Sequence, residues 1–170
     1  GDMAEKCKKS FNEKFYNKKQ KCLYDVIGDS KIRPNQLFAL SLSYQVIDAD
    51  SKLASDIFEV ATDKLLNDYG LKTLAEGEEN YTDVYEGDSV KRDMSYHQGI
   101  TWTWLLGVYN DAFKNIIENT KAKTKKNRLE KGYKEFVLNV TNTFTKEMEE
   151  GCTVGSIPEI YDSKKPYLPK

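Results

Sequence analysis

Histidine is almost missing from this chain, which has one, His97, in 170 residues. Its three cysteines, Cys7, Cys22 and Cys152, are widely spaced and form no Cys-x-x-Cys pair, so the ligand clusters of a zinc site are lacking. An odd number of isolated cysteines also speaks against a disulfide framework and for reduced thiols in a cytoplasmic protein. No single sign of charge dominates. Lys and Arg number 26 against 27 Asp and Glu, a net charge of −1, so no overall field draws the chain to nucleic acid or to an anionic membrane. Long hydrophobic runs are absent, as is a basic-apolar-small leader at Gly1, and neither a membrane nor a nucleic acid is an expected partner. Without such a leader, the glycosylation patterns Asn80-Tyr81-Thr82 and Asn139-Val140-Thr141 are read as chance matches. There is no Gly-rich phosphate loop and no nucleophile beside a base, and Asp48, Asp50 and Ser51 lack the spacing of a calcium loop; no metal and no cofactor is expected. Nothing in the residues fixes an oligomeric state.

Recognition chemistry is instead concentrated in Arg92-Asp93-Met94-Ser95-Tyr96-His97-Gln98-Gly99-Ile100-Thr101-Trp102-Thr103-Trp104. This stretch holds the sole histidine and both tryptophans. Indoles offer flat apolar faces, while His, Gln, Arg and Asp supply directed donors and acceptors, a mixture suited to a ligand with C–H faces and hydroxyls, such as a sugar. A structural reading stands beside it, with Trp102 and Trp104 as core anchors and His97 as a satisfied buried side chain.

At 170 residues the chain is read as a single domain or a large piece of one, able to bury roughly two-thirds of its unfolded surface. Met3, Cys7, Phe11 and Phe15 recur every four residues among charges and predict a solvated outer helix. Tyr16 to Arg33 has no periodicity and reads as an extended loop ending in a turn at Gly28. Pro34 suits a first helical turn, and Leu37 to Tyr44, apolar nearly all round, predicts a helix buried on several sides. Ser51 is a good N-cap for a second outer helix carrying Ala54, Ile57, Phe58, Ala61, Leu65 and Leu66. Residues 71–96 read as a long irregular region. Leu105, Val108, Tyr109, Ala112, Phe113, Ile116 and Ile117 predict a second buried helix, and Lys121 to Lys126 a solvated turn. Leu129, Tyr133, Phe136, Val137, Val140, Phe144 and Met148 predict a third outer-type helix ended by Gly151, followed by a loop-like tail. Amphipathic helices thus alternate with buried ones. Asn35, His97 and Glu159 hold comparable places, at a spacing of about sixty residues that suggests stacked helical hairpins with all three on one end.

This all-α alternation resembles the (α/α)6 toroid of glycoside hydrolases. More narrowly, Ile32-Arg33-Pro34-Asn35-Gln36, Tyr69-Gly70-Leu71-Lys72-Thr73-Leu74, Tyr85-Glu86-Gly87, Arg92-Asp93, Tyr96-His97-Gln98-Gly99, Trp102, Trp104-Leu105-Leu106-Gly107 and Gly155-Ser156-Ile157-Pro158-Glu159-Ile160-Tyr161-Asp162 are similar to the amylo-α-1,6-glucosidase domain of glycogen debranching enzymes. These motifs keep the family's order along almost the whole chain. Lys72, Ile100, Thr101 and Thr103 depart from its commoner Arg, Thr, Val and Pro, so contacts near them are expected to differ.

The resemblance implies a partial toroid, with residues 1–170 forming the C-terminal portion of the catalytic domain without either flank. It implies hydrolysis of α-1,6 branch points in glycogen or limit dextrin with inversion, a reaction needing two carboxyl groups roughly 6.5–9.5 Å apart. Glu159 is the implied general base, and the general acid would precede Gly1, leaving the segment inactive by itself. Arg33, Asn35, Gln36, Arg92, Asp93, Tyr96, His97, Gln98, Trp102 and Trp104 are the implied glucan-binding residues. A glucoamylase-like or trehalase-like hydrolase and a non-catalytic helical interaction module stay open beside this reading.

Overall fold

The computed structural model describes all of residues 1–170. About half of the chain is helical, in six α-helices, and the arrangement is compatible with a helical glycosidase-like domain. Helix α1 (Asp2–Lys14) has Asp2 and Glu5 in its first turn and Lys14 in its last, charges that favour the helix dipole at both ends. None of its residues is fully buried. Only the Phe11 end of the stripe, with Phe15 just beyond the helix, packs on the core, and these two rings stack 4.8 Å apart. A small hairpin follows, β1 (Tyr16–Asn17) against β2 (Cys22–Leu23), within the segment read as a plain loop.

Pro34 opens a 3-10 turn (Pro34–Leu37) that runs into α2 (Phe38–Ser41), a helix of only four residues. The buried helix expected as far as Tyr44 therefore stops early: Leu42 is extended and Tyr44 is 96% exposed. Its end is fixed from outside, because the Asn115 side-chain amide donates to the carbonyls of Leu40 and Ser41 at 2.9 and 3.1 Å. Those carbonyls are among the groups that a helix terminus leaves without an internal partner.

Ser51 caps α3 (Lys52–Leu65) as expected, its side chain accepting from the Ala54 N–H at 3.0 Å. Ala54, Ile57, Phe58, Ala61 and Leu65 are buried. A short helix, α4 (Ser89–Ser95), capped by Asp88, interrupts the region read as irregular. Helix α5 (Leu105–Asn119) is the centre of the fold, burying the expected seam except for Val108, which is partly covered. Phe58 of α3 lies 4.8 Å from both Tyr109 and Phe113, and Phe136 lies 4.9 Å from Tyr109.

Phe136 belongs to α6 (Lys123–Glu150), which begins inside the basic run read as a turn. The break is confined to residues 120–122, where the Thr120 hydroxyl turns back to the Ile116 carbonyl at 2.7 Å. Along α6 only Phe144 is fully buried. No helix is long and apolar enough to cross a membrane.

The fold also contains a small four-stranded antiparallel sheet, although an all-helical chain was the expectation. Its order is β3 (Leu66–Asn67), β4 (Gly70–Lys72), β5 (Thr101–Trp102) and β6 (Ile160–Tyr161). Strands of two or three residues show no period that a sequence reading can detect. The tail does not trail away: Pro169 bridges to Tyr161, and Lys170 pairs with buried Asp162 at 3.1 Å. This sheet ties the loops at residues 66–72, 101–102 and 160–161 together.

Candidate functional site

The polar and aromatic residues gather where β5, the 3-10 turn and the start of α5 meet. Strand β5 pairs Leu71 with Trp102 on one side and Trp102 with Ile160 on the other, which brings the 97–104 and 158–161 segments side by side. Beneath them runs a buried polar pin. The fully buried Thr101 hydroxyl accepts from Asn67 Nδ2 at 2.7 Å and shares a 2.7 Å hydrogen bond with Ser163, whose hydroxyl also contacts the Gly99 carbonyl. Thr73 takes up more of the same turn, accepting from the Gly99 N–H at 3.0 Å and donating to the Ile100 carbonyl at 3.2 Å.

A cleft of about 570 Å³ lies above this pin, lined by Asp25, Asp29, Arg33, Asn35, His97, Gln98, Trp102 and Trp104 among others. The two tryptophans differ. Trp102 is only 8% exposed, its Nε1 donates to the Tyr96 carbonyl at 3.0 Å, and its ring is stacked against His97 with centroids 5.2 Å apart. Trp104, at the N-terminus of α5, is 54% exposed and stands 6.3 Å from Phe38. The core-anchor reading therefore fits Trp102, while Trp104 presents open apolar surface. His97 is exposed, so it is not a buried core histidine.

Arg33 holds the cleft floor together. Its guanidinium donates to the carbonyls of Thr73 and His97 at 3.1 and 2.8 Å and to Gln98 Oε1 at 3.0 Å. Asn35 points its amide at Asp25 Oδ1, 2.8 Å away. Gln36 is buried and bonded within its own neighbourhood, to the Leu23 N–H and the Arg33 carbonyl, and it does not line the cleft. Its amide orders the turn instead.

Glu159 is exposed and does not itself line the cleft; it is linked to the cleft wall through Tyr96, whose hydroxyl donates to Glu159 Oε2 at 3.1 Å. The Tyr96 ring sits 4.6 Å from Trp102 and 4.8 Å from His97. Desolvation, then the hydrogen bond and charge of Glu159, raise the Tyr96 phenol above its ordinary value, so it remains a donor at neutral pH.

His97 and Gln98 form a ridge, because they also line a second cleft of about 680 Å³ with Asn80, Thr82, Lys91, Asp93, Met94 and Ser95. Asp93 faces that side. Arg92 lines neither cleft and donates to the Gly87 carbonyl at 3.2 Å, and no ion pair joins it to Asp93. Asn35, His97 and Trp104 are thus brought to one cleft, and Glu159 is joined to its wall through Tyr96, whereas Gln36, Arg92 and Asp93 lie outside it.

Sequence reasoning passed over Asp25, Asp29 and Thr73. The signal was slight: acids just before the Arg33-Pro34-Asn35 turn, and a threonine inside the Tyr69–Leu74 motif. No group of three or more His, Cys, Asp or Glu side chains is arranged to hold a metal ion.

An open cleft with one aromatic platform, directed amides and a marginal carboxylate is suited to a polyhydroxylated ligand. Comparison with known protein families agrees with that chemistry. The amylo-alpha-1,6-glucosidase family profile matches residues 1–170, the whole chain, and the chain belongs to that family.

Proposed function

We propose that these residues form part of a debranching glycoside hydrolase that cleaves α-1,6-glucosidic branch points of glycogen or limit dextrin with inversion. The observation that carries this reading is the family match over the whole chain, together with the placement of Glu159 beside the cleft of His97, Gln98, Trp102 and Trp104. In this reading Glu159 is the general base that activates water on the face of the sugar opposite the leaving oxygen. Trp104 lies under the glucose ring, and Asn35, His97 and Gln98 bond its hydroxyls. Tyr96 and Trp102 back this wall, and Arg33 orders it.

Residues 1–170 are read as the C-terminal part of an (α/α)6 toroid in a cytoplasmic enzyme, with the general acid supplied by chain preceding Gly1. The carboxylates within the cleft are otherwise engaged, Asp25 with Asn35 and Asp29 with Lys31. Glucose release from branched limit dextrin tests this directly, measured for residues 1–170, for the longer enzyme that contains them, and for that enzyme with Glu159→Gln. The expected result is activity in the longer enzyme only. Robust hydrolysis by residues 1–170 would put the acid inside them, with Asp25 the first residue to replace. Normal turnover by the Gln variant would remove Glu159 from the mechanism.

A further inference from the structure

We propose that Tyr96 is the positioning residue of the Glu159 carboxylate, and that its hydroxyl works on Glu159 rather than on the sugar. This rests on the reading of Glu159 as the base. The main chain at Glu159 is well fixed: its carbonyl accepts from the Thr103 N–H at 3.3 Å, the Pro158 carbonyl accepts from the Thr103 hydroxyl at 3.3 Å, and Ile160 enters β6. The side chain is not fixed in the same way. It is exposed, and its one hydrogen bond within the protein is the 3.1 Å bond from Tyr96 to Oε2. A glutamate has three side-chain torsions, and without that bond it would spread over several staggered rotamers.

Tyr96 is well placed to prevent this spread. Its ring packs on Trp102 and His97, and its own carbonyl accepts from Trp102 Nε1 at 3.0 Å. The direction of the phenol is therefore set from both ends of the residue. Because the hydroxyl takes Oε2, Oε1 is left without a protein partner and free to accept a proton from water. A general base needs this division of labour, with one oxygen held and the other open. The two residues lie 63 positions apart in the chain and meet because β5 and β6 are paired.

The test uses the full-length enzyme containing these residues, with glucose release from limit dextrin as the assay. Tyr96→Phe keeps the ring and its packing and removes only the hydroxyl. A hydrogen bond to a charged group is worth about 1.5–3 kcal/mol, so kcat should fall by about 10- to 150-fold, with KM within about twofold of the parent. Placed on Glu159→Gln, the same change should add no further loss, because the carboxylate it positions is gone. Tyr96→Leu removes ring and hydroxyl together, and its extra loss over Tyr96→Phe reports packing alone.

A raised KM with unchanged kcat would make Tyr96 a sugar contact and overturn the proposal, as would losses that add fully in the double variant. If Glu159→Gln collapses while Tyr96→Phe turns over normally, this proposal fails and the base reading survives. If Glu159→Gln itself turns over normally, both fail together.

Discussion

Arg33 donates from Nη1 to the carbonyl oxygen of His97 at 2.8 Å, across 64 residues of chain. The same guanidinium reaches Thr73 and Gln98, so one side chain ties three loops into the cleft floor. Arg33→Ala should lower unfolding stability by about 2–3 kcal/mol, because hydrogen bonds from a charged donor are lost and the acceptors are left partly buried. Arg33→Lys should recover only part of this, since one ammonium cannot reproduce the planar fork. Urea denaturation checks it: a lower midpoint with an unchanged slope is the expected outcome.

Gly99 makes a second, sharper claim. Its φ is +133°, and an added Cβ would meet the Thr82 carbonyl and stand 2.7 Å from the Tyr81 ring. Gly77 also has a positive φ, +89°, but open space around it. Both Ala variants pay for the backbone conformation, about 1 kcal/mol or more, and only Gly99→Ala also pushes the 81–82 segment off the site loop. Thermal unfolding should therefore show a clearly larger drop for Gly99→Ala. Equal drops would mean that the loops yield without cost.

Strong periodicity made the long helices legible. Ser51 and the seam from Leu105 to Ile117 specify α3 and α5 by capping and by the 3.6-residue repeat, and both elements lie where those signals fall. Composition misled at Leu37–Tyr44, where an apolar run carries no direction and a tertiary partner, Asn115, decides the end of the helix. The strands of two or three residues were invisible because their pairing joins positions far apart in the chain, as Thr101 with Tyr161. The residue types that line the candidate cleft were readable around His97. Which tryptophan is open and which is sealed depends on packing that only the fold supplies.

Cys22 offers a pH-dependent test of the hairpin. Burial, with a smaller effect from the charge of Glu78, raises its thiol from about 9 to about 11. In the unfolded chain the thiol ionises first, so stability present below about pH 9 should be lost as pH rises toward 11, by up to about 3 kcal/mol. Denaturation midpoints followed across that window should fall less steeply in Cys22→Ala. Under native conditions at pH 8, a thiol reagent should label exposed Cys7 and Cys152 and spare Cys22.

Trp102 and Trp104 should separate stability from recognition. Trp102 is sealed between Tyr96 and His97 and belongs to the buried core, so Trp102→Ala should cost about 3–5 kcal/mol of folding free energy. Trp104 has more than half of its surface open and its one aromatic contact is the tilted one with Phe38, so Trp104→Ala should leave stability within about 1 kcal/mol of the parent. In the longer enzyme proposed above the order should reverse for substrate. Loss of an aromatic anchor worth about 1.4 kcal/mol raises KM for limit dextrin about tenfold. Trp104→Phe, which keeps a flat apolar face, should restore most of the affinity. Urea midpoints for the chain and KM values for the longer enzyme check the two halves independently. A Trp104→Ala chain that unfolds early would show that its ring supports the α2–α5 contact, and an unchanged KM would take the glucose platform away from this residue.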